Sequence, residues 1–414
     1  MRGSSWLVAC AALAAGEYSA SFVPWMAEAW PVVLSAAALL ALVGYGLSWR
    51  GWHLAFLFAL GAAAFLFASV EAERGYRMKP WMRNASVQRK SSALSAARAS
   101  RKSAAAPVRR ELSRRVAIGL GREREIAALN RAILLGERGG LPPRMRRTFV
   151  DSGAIHVFAI SGLHVMAVAG LLYWLLRMAF VPMRVAGAAA VPILWAYVWV
   201  VGLPPSAVRA ATMATFYFAA PLFWRRPDAV KAWALTFFAV YLWAPERICD
   251  VGCALSFAVM LAILLAAECG RSSGRTLSQT LWVAFAAWAA GVPIAAHAFG
   301  RVTPGGLLAN LALLPSAVVT VVAGTLGLAA SFVSDVAAAH LNNLSALFTK
   351  AMAGVSSVVA MLPGANFETS PWPEWACLLW YAALLSMLAL AWRRRKRLEY
   401  ARSVLGASHG RFRR

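Results

Sequence analysis

Charged side chains are scarce in this 414-residue chain, at 14% against about a quarter in soluble globular domains. With 60% hydrophobic residues and 18 Trp, that shortage excludes water as the solvent for most of the surface. Acidic residues are scarcer still: 17 Asp and Glu stand against 42 Lys and Arg, a formal charge of +25. Such an excess fits a polyanion or an anionic lipid surface, but it is also how membrane proteins mark their cytoplasmic loops. Cysteine is limited to Cys10, Cys249, Cys253, Cys269 and Cys377, an odd number without a CxxC pair. That argues against a disulfide framework and against a metal cluster. Leu7-Val8-Ala9-Cys10 resembles a lipoprotein cleavage site, but only six residues precede it, too few for the apolar core of such a signal.

What the chain does have is apolar runs of about 17 to 25 residues separated by short polar turns, the length a helix needs to cross about 30 Å of hydrocarbon. The fold class predicted is therefore all-α, a polytopic transmembrane helix bundle of about 10 to 12 spans. Three spans fill residues 1–70. Up to nine more follow between Val157 and Trp392, with the run 307–333 expected to break at Pro315 and the run 341–362 made doubtful by Asn342, Asn343 and Lys350.

Between the two sets the composition inverts. From Glu71 to Arg147 there are 20 Lys and Arg against 6 Glu. Residues 71–125 read as a basic, partly disordered arm, Ser/Ala/Lys/Arg-rich and flexible at Arg89, Lys90, Arg101 and Lys102, with Arg109, Arg110, Arg114 and Arg115 further on. Apolar spacing between Leu112 and Leu135 predicts one amphipathic helix on the membrane surface. Residues 126–392 form the main bundle and 393–414 a basic tail. Basic short loops at 177–184, 225–231, 271–275 and 393–397 are assigned to the cytoplasm, and counting spans back from them places the arm on the extracytoplasmic face.

Polar residues inside apolar runs are costly in lipid and face a cavity or another helix. The densest stretch runs from Asp151 through His156 to Ser161, Gly162 and His164. A prolyl turn then leads to Ser206, read as a helix cap, and to Arg209 in the second turn. Asp250, Ser256, His297 and Asn310 complete the candidate polar path. Each of these also has a plainer reading as packing glue between helices. Ser161 and His164 lack a positioned acid, so they make a poor hydrolase pair.

The stretches 134–141 and 149–165, the latter with its Ile160-Ser161-Gly162-Leu163-His164-Val165 core, resemble the signature of the ComEC-type competence channels. Pro204 to Ala210, Asp250 with Leu255-Ser256-Phe257, Pro293 to Gly300, and Leu307 to Pro315 match in the same order. Ala254 stands where that family usually has Gln. The resemblance implies a multi-pass protein of the bacterial inner membrane that imports single-stranded DNA. Relatives of this type carry an OB-like domain and a metallo-β-lactamase-like domain, and the expectation here is a short form lacking both. It would have no catalytic residues, metal or cofactor of its own, and would work with other competence proteins, a separate nuclease and membrane lipid, with homo-oligomers allowed. The basic arm would gather DNA by counterion release. A different class stays open beside it: a secondary transporter of small solutes with His164, Asp250 and His297 relaying protons.

Overall fold

The computed structural model describes residues 105–121, 123–243, 250–270 and 276–411. The three N-terminal spans and Arg89, Lys90, Arg101 and Lys102 lie outside the described residues. Helix α1 covers 105–116. It is followed by α2 (Arg124–Leu135) and α3 (Pro143–Asp151), then a 3-10 turn at Ile155–Phe158. The long apolar helices come next: α4 (Gly162–Met178), α5 (Met183–Val200), α6 (Pro205–Ala219), α7 (Ala229–Trp243), α8 (Val251–Gly270) and α9 (Thr276–Phe299). Last are α10 (Gly305–Ala330), α11 (Asp335–Met361) and α12 (Glu374–Arg411). A two-stranded antiparallel pair, β1 (Arg301–Val302) with β2 (Phe367–Glu368), ties the α9–α10 turn to the α11–α12 turn.

Six of the described helices are long and apolar enough to cross a membrane: α5, α8, α9, α10, α11 and the first part of α12. Of two shorter apolar helices, α4 precedes these six and the first part of α7 lies between α5 and α8. The protein is thus an all-α, multi-pass membrane protein, with six candidate spans among the described residues. A helix is the form that satisfies every backbone group in hydrocarbon, which is why the apolar runs become helices whatever their local propensity.

Several expectations are corrected. The predicted single surface helix from Leu112 to Leu135 is two helices, α1 and α2, and their apolar faces are buried: Val116, Leu120, Leu129 and Ile133 are each 3% exposed or less. So residues 105–121, assigned to the flexible arm, are folded. The break at Pro315 does not occur, and α10 runs through it unbroken. A proline removes one backbone donor, a loss that neighbouring helices make tolerable in a membrane bundle. The doubtful run 341–362 lies almost wholly in α11, where two of the residues that made it doubtful are bonded. Asn342 Nδ2 donates to the carbonyls of Arg115 and Ile118 at 3.0 and 3.1 Å. Lys350 pairs with Glu123 at 2.6 Å.

Helix α1 is fastened by its arginines. Arg109 donates to Glu137 at 3.1 Å and to the Leu135 carbonyl at 2.8 Å. Arg115 pairs with Glu111 at 2.6 Å, donates to the Ser331 carbonyl and lies 4.2 Å over the Phe332 ring. Arg114 also holds Glu111, at 2.7 Å. These two guanidiniums bring the exposed Glu111 carboxyl from the usual 4.5 down to about 2.

Candidate functional site

Between α3 and α4 the chain abandons regular helix over residues 152–161 and threads the bundle as a strap. Gly153 permits this: its φ is +74°, and a Cβ there would sit 3.0 Å from Thr303 and 3.1 Å from the Gly306 backbone. The strap therefore lies directly on the start of α10. Its inner side is anchored by Phe149 and Phe158, both 1% exposed or less, with ring centroids 4.6 Å apart. Irregular backbone at membrane depth is tolerated only when other groups take its polar atoms. Here Arg138 Nε donates to the Phe158 carbonyl at 3.1 Å and Ser206 Oγ to the Ile160 carbonyl at 2.6 Å.

That second bond revises the sequence reading of Ser206. The N-cap of α6 is Pro204, which makes no side-chain cap. Ser206, in the first turn, spends its hydroxyl on the strap instead. The chain arrives there through Gly202 and Leu203, both at positive φ (90° and 52°). This turn sets the beginning of α6 beside the beginning of α4; a Cβ on Gly162 would be 3.7 Å from that of Ala210. The apolar run from Val157 thus yields a helix that begins only at Gly162. Two helix N-termini, each the positive end of a helix dipole, lie side by side at the strap.

Ser161 precedes α4 in extended conformation, and its backbone N–H donates to His164 Nδ1 at 3.3 Å. Its Oγ lies 3.0 Å from the same nitrogen. Because an N–H can only donate, Nδ1 is the acceptor and the neutral ring carries its proton on Nε2. His164 is 1% exposed, and Nε2 has no hydrogen-bond partner among the described residues. The result is a fixed, buried donor with no carboxylate bonded to it among the described residues. His156 sits outside on the 3-10 turn, its Nδ1 3.2 Å from the Gly153 carbonyl. Asp151 closes α3 and is exposed.

Arg209, half-buried one turn into α6, donates to the Gly252 carbonyl at 2.9 Å at the start of α8. Asp250, just before α8, lies close enough to act on that guanidinium electrostatically. The structure thus joins Ser161, Gly162, His164, Ser206 and, through α6, Arg209 and Asp250. It does not join the rest: among the described residues no hydrogen bond links Ser256, His297 or Asn310 to the strap. Ser256 is half-buried on α8. His297 donates from Nδ1 to the Trp372 carbonyl at 2.7 Å, and Asn310 Oδ1 is buried on α10 without a partner.

Sequence reasoning missed a second polar feature. Asn342, Ser345, Thr349 and Ser356 on α11, with Asn130 on α2 and Thr320 on α10, are completely buried. Ser345 Oγ donates to the Thr320 carbonyl at 3.0 Å, and Thr349 Oγ1 to Asn130 Oδ1. The spacing 342, 345, 349, 356 follows one face of a helix, which is the signal that would have found it.

A family model described as Competence protein matches residues 133–395, which takes in the end of α2, α3, the strap, α4 to α11 and the first part of α12. ComE operon protein 3 of Bacillus subtilis (strain 168) is 28% identical over 185 residues, covering 44% of this chain. The match spans 24% of that protein, so the two share about a quarter of its length. No solved structure matches.

Proposed function

The chain belongs to the Competence protein family, and on that footing we propose that it is a membrane component of DNA uptake, passing single-stranded DNA inward through the bundle. One observation carries the reading: the paired N-termini of α4 and α6 at the strap, with the His164 Nε2 donor and Arg209 beside them. Oriented N–H donors and a guanidinium suit a phosphate backbone crossing a low-dielectric region, because they attract negative charge without reading base sequence. Length supports it too. At 1.5 Å per residue, α4 and α6 are about 25 and 22 Å long, short of the hydrocarbon thickness of about 30 Å.

In this reading the membrane is the bacterial inner membrane, the strap faces outward, and other competence proteins deliver the strand and process it. Of the arm, Arg109 and Arg115 serve to dock α1, which leaves Arg110 and the cations before residue 105 to gather DNA, together with Arg114 where it can give up Glu111. A proton relay through His164, Asp250 and His297 has less behind it. His297 is committed to the Trp372 carbonyl, and His164 faces no acidic partner among the described residues.

The test is uptake of fluorescently labelled DNA by cells carrying His164→Ala or Arg209→Ala in place of the wild-type chain, with membrane insertion checked in parallel. Both variants are expected to insert at wild-type level and to lose most uptake. Wild-type uptake by both overturns the path.

A further inference from the structure

At the far end of α4 and α6 from the strap, two turns adjoin. One joins α4 to α5 at residues 179–182, and the other leads from α6 to α7 at 224–228. Arg184, at the start of α5, lies 3.7 Å over the ring of Trp224, which fixes the two turns together. Phe180 in the first and Trp224 in the second both have positive φ, 60° and 56°. A bulky side chain rarely adopts that conformation, and where it does the surroundings or a function hold it there. Both rings are turned outward, 92% and 80% exposed.

The charge at these turns is one-sided. Arg177, Arg184, Arg225 and Arg226 have no carboxylate partner among the described residues. The nearby acid, Asp228, is already used: its Oδ1 accepts the backbone N–H of Val230 and Lys231 at 3.0 and 3.1 Å, and its Oδ2 lies 3.4 Å from Lys231 Nζ. Exposed Met178, Met183 and Phe223 continue the apolar surface from the helices into this patch.

We propose that the two turns form a binding site for the headgroup of an anionic phospholipid, with Arg184, Arg225 and Arg226 around the phosphate and Phe180 and Trp224 seated at the boundary between headgroup and acyl chains. Aromatic rings and arginines at the ends of apolar helices match that boundary chemically. A polynucleotide would satisfy the arginines but leave Met178, Met183 and Phe223 in water. The site rests on the membrane-spanning reading of α4 to α7 and does not depend on what the strap conducts.

Native mass spectrometry of the full chain, released from detergent micelles with either phosphatidylglycerol or phosphatidylcholine added, tests it. The wild type should retain phosphatidylglycerol at least about tenfold better. Arg225→Ala/Arg226→Ala, changed at two exposed positions of a turn, should lose most of that preference, and Trp224→Ala should weaken retention of the lipid. Arg184→Lys/Arg225→Lys/Arg226→Lys keeps the charge and should retain a reduced preference. Equal retention of both lipids by the wild type, or an undiminished preference in Arg225→Ala/Arg226→Ala, overturns the proposal. So does displacement of phosphatidylglycerol by a 20-residue oligothymidylate, which would make the patch a polynucleotide surface.

Discussion

The indole of Trp380 on α12 donates from Nε1 to the carbonyl of Ala289 on α9 at 2.8 Å. Four residues further along α9 stands Pro293, which has no N–H to give that carbonyl. Tyr381 donates to the next carbonyl, that of Ala290, at 2.9 Å. A proline in mid-membrane is thus satisfied from the neighbouring helix. Trp380→Phe is expected to lower stability in detergent by about 1 kcal/mol. In a Pro293→Ala background the helix supplies its own donor, so the same change should cost much less. A double-mutant cycle of thermal unfolding measures the difference.

Ser206→Ala should loosen the strap without unfolding the bundle. It removes the bond to the Ile160 carbonyl, worth about 1 kcal/mol, and leaves α6 with the same starting residues. Hydrogen exchange should rise over residues 155–161 and stay unchanged in α11.

Gly153→Ala should be more damaging. The substitution adds a Cβ to a residue at φ +74° whose neighbours are 3.0 Å away on Thr303 and 3.1 Å away on Gly306. Strain of this kind costs about 1–3 kcal/mol before the clash is counted. A sharp fall in folded protein recovered from the membrane is the expected readout.

Helix α1 should loosen in acid. Glu111 holds Arg114 and Arg115, and its folded carboxyl titrates near 2 instead of 4.5. The stabilisation is complete above about pH 4.5 and fades as pH falls towards 2, because protonation then removes the charge both arginines hold. Hydrogen exchange of residues 105–116 should rise through that window in the wild type, and Glu111→Gln should flatten the profile.

Two neighbouring arginines should separate. Arg109→Ala breaks the contacts to Glu137 and to the Leu135 carbonyl, and is expected to cost about 1–2 kcal/mol and to expose α1 to protease. Arg110→Ala touches an exposed side chain and should leave stability unchanged within about 0.5 kcal/mol. If the arm gathers DNA, Arg110→Ala should reduce the salt dependence of DNA binding instead.

Much of this architecture was legible in order of residues. The apolar runs 185–201, 252–267 and 281–299 became α5, α8 and α9 because lipid leaves a chain few alternatives to helix. The Ser161-Gly162-Leu163-His164 core was legible as unusual for the same reason. The single helix expected over 112–135 was not two helices in the sequence pattern alone, since apolar spacing does not say whether a face meets lipid or another helix. Pro315 was read as a break because local rules count the donor it removes and cannot see the packing around it.

The sequence by itself determined that the chain lives in a membrane as helices, and where its polar residues interrupt them, because the cost of a polar group in hydrocarbon is a property of each residue. Only the tertiary structure decided what those interruptions do. It gave Ser206 to the strap rather than to its own helix, left His164 Nε2 without a partner, and fastened Arg109 and Arg115 inside the protein. Those outcomes depend on which carbonyl, carboxylate or ring comes within about 3 to 4 Å after distant segments have packed.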